Sequence, residues 1–89
     1  MGIGGCFEAR GKKIDIYFDC VGKSQEKITV GIKAKLRLPL EKATEIWGIT
    51  FSEINEVQYG YNPVNINKTI EELNIINNGT VMVKLKSTF

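Results

Sequence analysis

Apolar and polar residues alternate strictly from Lys13 to Cys20. Ile14, Ile16, Phe18 and Cys20 share one face, and Asp15, Tyr17 and Asp19 share the other. This predicts a half-buried strand rich in β formers. Val21 to Gln25, with Gly22 and Ser24, reads as a hairpin loop. A longer alternation follows, with Ile28, Val30, Ile32, Ala34, Leu36 and Leu38 interleaved with Lys27, Thr29, Gly31, Lys33, Lys35 and Arg37. Pairing Phe18 with Ile28 and Ile16 with Val30 puts both apolar rows on one face. In that register Asp19 meets Lys27 and Asp15 sits diagonal to Lys33, each pair contributing about a few tenths of a kcal/mol.

At Pro39 the period changes. Leu40, Ala43, Thr44 and Trp47 fall on one face of a short amphipathic helix, with Pro39 at its first position and Gly48 as its stop. Phe51 and Ile54 are expected to be buried in a connector, and Val57 and Tyr59 mark a third strand. Gly60-Tyr61-Asn62-Pro63 is turn chemistry, and Val64 and Ile66 predict a very short fourth strand. Thr69 and Glu72 have the spacing of a capping box, so a helical turn begins there and offers Ile70, Leu73 and Ile75 to the core. After Asn78-Gly79 the last strand turns Val81, Val83 and Leu85 to one face and Thr80, Met82 and Lys84 to the other.

Two strands, a helix across one face, and further strands make an α+β layering with one buried sheet face. A chain of 89 residues holds one such domain. It is expected over residues 13–86, with a glycine-rich leader at 1–12 and a polar tail at 87–89. The order of these elements is that of the β-grasp. The stretch from Gly48-Ile49 through Tyr59, Val64, Thr69-Ile70, Leu73-Asn74-Ile75 and Thr80-Val81-x-Val83-x-Leu85 resembles the ubiquitin-like family. The resemblance implies a ubiquitin-like β-grasp, a mixed sheet with one helix packed across one face.

Function does not follow from the fold alone. Conjugated members of the family carry a flexible tail closing on Gly-Gly, whereas Ser87-Thr88-Phe89 stand here, so a non-conjugating member is expected. The apolar patch by which ubiquitin meets most receptors aligns with Gln58, Met82 and Lys84, and its character is lost. Two lysines used for chain building align with Asn62 and Asn77.

Composition narrows the classes further. With 43% hydrophobic and 25% charged residues the chain is of ordinary globular make-up. A net charge of +2 announces neither nucleic acid nor membrane. Cys6 and Cys20 lack metal-ligand spacing and there is no histidine, so free thiols in a reducing compartment, cytoplasmic or nuclear, are expected, with no metal and no cofactor. Neither cysteine has an activating neighbour and no nucleophile–base pair exists, so an enzyme is not expected. Asn67-Lys68-Thr69 and Asn78-Gly79-Thr80 match the glycosylation acceptor pattern, read as coincidence in an asparagine-rich chain.

The feature that points to a partner is the outer sheet face. If the first strand lies between the second and the last, Tyr17, Lys33, Lys35, Gln58, Met82 and Lys84 form a basic docking surface. The function expected is that of a protein-interaction domain or adaptor meeting an acidic protein. The alternative is edge-strand pairing along residues 27–37 with a small GTPase or another acidic partner. Edge pairing also allows a dimer. A membrane role requires acylation at Gly2 or Cys6 beside Arg10, Lys12 and Lys13.

Overall fold

The computed structural model describes residues 12–86. The leader expected at 1–12 lies outside them except for Lys12, as do Gly2, Cys6 and the tail at 87–89. Among these residues five strands and one helix follow in the order β1 (Lys13–Cys20), β2 (Glu26–Gly31), α1 (Arg37–Trp47), β3 (Ile54–Tyr59), β4 (Asn62–Pro63) and β5 (Gly79–Leu85), with a 3₁₀ turn at Phe51–Glu53. They form one mixed sheet in the order β2-β1-β5-β3-β4, with β1 and β5 parallel. The first strand does lie between the second and the last.

The apolar rows predicted for β1 and β5 are the core. Ile16, Phe18, Val81 and Val83 are fully buried, beneath Leu36, Leu40, Ala43, Trp47, Ile70 and Ile75. The hairpin register differs by two residues from the expected one: Ile16 faces Ile28, Ile14 faces Val30 and Phe18 faces Glu26. A two-residue slip leaves every side chain on its own face, so the burial pattern tolerates it. The turn decides the register, with Lys23 N–H donating to Cys20 O at 2.9 Å. Asp19 therefore does not meet Lys27. Asp15 instead accepts from Thr29 Oγ1 at 2.6 Å.

β2 stops at Gly31, well before the predicted Leu38: its pairing with β1 ends at Lys13 and Gly31, with one further bond from Ile32 N–H to Lys12 O. The chain turns at Ile32 and crosses the 66–71 segment. Leu36 N–H donates to Lys68 O at 3.0 Å and Arg37 N–H to Ile66 O at 2.9 Å, while Ile70 N–H donates to Ala34 O and Glu71 N–H to Ile32 O. These bonds take up backbone donors that the start of α1 would otherwise leave unpaired, since Leu36 at its N-cap supplies no side-chain cap. Pro39 sits within the first turn and has no N–H to satisfy. Pro39, Leu40, Ala43, Thr44 and Trp47 form the buried face, and Gly48 closes the helix at φ 74°. Trp47 Nε1 donates to Ser24 O at 2.7 Å, fixing the helix end under the β1–β2 loop. Leu38, assigned by alternation to an apolar row, is exposed.

β3 is longer than the sequence suggested. A bulge between Ile54 and Glu56 lets Ile54 and Val57 pack on the core despite their odd spacing. Phe51 and Ile54 are half-buried rather than buried. β4 is Asn62–Pro63, not Val64 and Ile66, and joins β3 through a two-residue turn, Gly60-Tyr61, with both residues at positive φ. The capping box forms as expected: Glu72 N–H donates to Thr69 Oγ1 at 3.0 Å and Thr69 N–H to Glu72 Oε1 at 2.9 Å. Asn74, at φ 57°, ends this single turn, with Ile75 N–H donating to Ile70 O and Asn74 N–H to Glu71 O.

Candidate functional site

The outer sheet face gathers four of the predicted residues and excludes two. Tyr17 lies beside Thr80 across β1–β5, Gln58 faces Met82 and Glu56 faces Lys84 across β3–β5. Tyr17, Gln58, Met82 and Lys84 therefore share one surface. Lys33 and Lys35 do not belong to it, because both lie past the end of β2. Lys33 Nζ contacts Glu71 Oε1 at 2.6 Å, and the Lys35 backbone pairs antiparallel with that of Thr69. Arg37, the next basic residue in the same alternation, lies 5.6 Å over the Phe51 ring and reaches Glu41 at 3.4 Å.

This changes the electrostatics. Across the outer face Lys13, Lys27 and Lys84 stand against Asp15, Asp19 and Glu56, so the face is mixed rather than basic. Further lysines lie at the crossing, where Lys12, Lys33, Lys35 and Lys68 are all exposed. Glu72 is held below the ordinary glutamate range, first by the Thr69 backbone N–H and hydroxyl, and further by Lys68 and Lys35. The edge-strand reading along residues 27–37 loses its length for the same reason. Only Glu26–Gly31 is strand, with Lys27 its one basic residue.

What the outer face has is shape. A groove of about 640 Å³ follows β5 over Thr80, Met82 and Lys84, bounded by Gln58, Tyr59, Tyr61 and Val21. Met82 is half-buried, whereas Tyr61 is 95% exposed and Val21 87% exposed. Tyr61 is held at φ 69°, a left-handed conformation that costs a non-glycine residue about 1 kcal/mol. The two-residue turn imposes that conformation, and it sets Tyr61 with Val21 at the groove rim. Sequence reasoning passed over Tyr61 and Val21. The available signal was an aromatic inside a Gly-x-Asn-Pro turn, where small or polar residues usually stand.

Gln58 Nε2 donates to Glu56 Oε2, which occupies that carboxylate along its own strand. Lys84 makes no ion pair among the described residues. A second groove, about 370 Å³, lies between β3 and residues 64–66, and its apolar lining of Phe51, Ile54, Val64 and Ile66 packs on the core. Cys20 is buried, and burial pushes its thiol up, with Lys23 lowering it by less and Asp19 adding a further rise. Among the described residues no three His, Cys, Asp or Glu side chains gather to hold a metal, and no helix is long and apolar enough to cross a membrane.

No family model and no curated protein matches the chain. Solved structures do. A de novo design based on ubiquitin superposes with a TM-score of 0.74 at 21% identity, covering 86% of this chain and 93% of the design. The ubiquitin of Caldiarchaeum subterraneum superposes with a TM-score of 0.76 at 13% identity, covering 85% of this chain and 96% of that one. The fold is the ubiquitin-like β-grasp: α+β, a mixed sheet with one helix across one face. At these identities the likeness is one of fold.

Proposed function

We propose that this ubiquitin-like domain is a protein-interaction module or adaptor that works by non-covalent contact through its outer sheet face. The observation that carries the reading is the β5 groove, with Met82 on its floor and Tyr61 and Val21 standing out of it. Met82 and Tyr61 are the apolar anchors, Tyr17 and Gln58 widen the contact, and Lys84 supplies the charge. The partner is a protein that brings an apolar side chain to the groove and a carboxylate to Lys84. The acidic preference expected of it narrows at the groove to Lys84, because Lys33 and Lys35 lie elsewhere.

The test separates the two groups of lysines. Wild-type domain, Met82→Asp/Lys84→Glu and Lys33→Glu/Lys35→Glu are each used to capture partners from nuclease-treated lysate. The expected result is a partner held by wild type and by the Lys33/Lys35 variant and lost with the Met82/Lys84 variant. The reverse pattern would move the site to the crossing and overturn the reading.

A further inference from the structure

Among the described residues β2 is an edge of the sheet, with backbone groups that no neighbouring strand takes up. Ile32 N–H donates to Lys12 O at 2.9 Å, in line with the pairing of Lys13 with Gly31. Hydrogen-bonded pairs alternate in an antiparallel ladder, so Ile28 and Val30 point their N–H and C=O groups at β1. Lys27, Thr29 and Gly31 point theirs away from the sheet. Among the described residues only the Gly31 carbonyl has a partner there, Ala34 N–H at 3.1 Å, and its second lone pair remains. The strand has none of the usual safeguards beyond Lys27: no proline, no bulge, and a β-branched run of Ile28-Thr29-Val30.

We propose that β2 pairs antiparallel with β2 of a second copy of this chain, about a two-fold axis at Thr29. In that register Lys27 faces the partner's Gly31, Thr29 faces the partner's Thr29, and each pair exchanges its N–H···O bonds. Ile28 then faces the partner's Val30 and extends the apolar row from one sheet into the next. Parity favours this occupant, because the outward-pointing residues of one strand meet those of the other while both buried faces stay on the same side. Charge favours it too. The two lysines at position 27 lie four residues apart along the ladder, with a glycine opposite each, whereas a two-residue slip would set them diagonally against each other. The edge is distinct from the outer face, so the dimer stands or falls independently of the function proposed above.

Sedimentation equilibrium and concentration-dependent amide exchange test it on the full chain. The expected result is a mass approaching twice the 10.0 kDa of one chain at high concentration, falling on dilution. Exchange at Lys27, Thr29 and Gly31 slows as concentration rises, while Ile28 and Val30 stay protected throughout. Thr29→Pro removes an outward N–H, which an edge strand tolerates, together with the exposed bond from Thr29 Oγ1 to Asp15, so it is expected to leave the far-ultraviolet circular dichroism unchanged and abolish the dimer. Thr29→Lys, setting like charges opposite each other at the axis, is expected to do the same. A monomer at millimolar concentration overturns the proposal, as does a dimer that survives both variants. Protection of the outward amides in a monomer also overturns it, since residues of the same chain would then cover the edge.

Discussion

Single residues carry strain, caps and close contacts whose effects can be predicted one at a time. Tyr61 occupies a left-handed position while almost wholly exposed, so Tyr61→Gly is expected to leave thermal stability unchanged or raise it while weakening partner binding. Loss of stability without loss of binding would make Tyr61 a structural residue. Gly79 is the opposite case. A Cβ there would meet Ile76 O at 2.9 Å and the Tyr59 hydroxyl at 3.0 Å, so Gly79→Ala is expected to cost about 1–3 kcal/mol in denaturant unfolding. Thr69→Ala removes a cap and is expected to cost about 1 kcal/mol. Glu72 gives that cap a pH dependence. Its folded carboxyl lies below the ordinary range, so the stabilisation is complete above the unfolded value and is lost as pH falls through the folded one. Thermal midpoints measured from pH 6 down to pH 3 are expected to show a smaller acid loss in Glu72→Gln, which keeps an acceptor oxygen but cannot titrate.

Elements were legible where local chemistry decides them and misjudged where a distant segment does. Thr69 with Glu72, Gly48 after Trp47, and the alternating rows of β1 and β5 all act within a few residues, and each stands where the pattern placed it. The alternation from Ile32 to Leu38 looked equally strong, yet those residues pair with 66–71 and turn into α1. A strand needs a neighbour, and the length of β1 is not written in the sequence of β2. That one boundary also removed Lys33 and Lys35 from the predicted site. Gln58, Met82 and Lys84 fell together because the resemblance fixed their strands, whereas the groove beside them depends on how Tyr61 and Val21 leave theirs. The crossing matters energetically as well. Leu36 within it and Leu40 one turn further on are fully buried, and Leu40→Ala is expected to cost about 2–5 kcal/mol, more than any cap.

At the scale of the whole molecule, the sheet has one committed face and one open face. The committed face holds the core between β1, β5, α1 and the capped turn, while the open face presents a groove with exposed apolar rims. A ubiquitin-like scaffold supports many activities, so the reading as an interaction module rests on that groove rather than on the fold. Charge is divided between sites: the outer face is mixed, and the lysine-rich crossing lies off the sheet. The most direct measurement is a map of amide shift changes when the captured partner is titrated into the isotope-labelled domain. The account predicts that the largest changes fall on Tyr17, Gln58, Tyr61, Thr80, Met82 and Lys84, and that Met82→Ala weakens binding by about tenfold or more. Changes confined to α1 or to the lysines at the crossing, with the β5 groove unmoved, would contradict it.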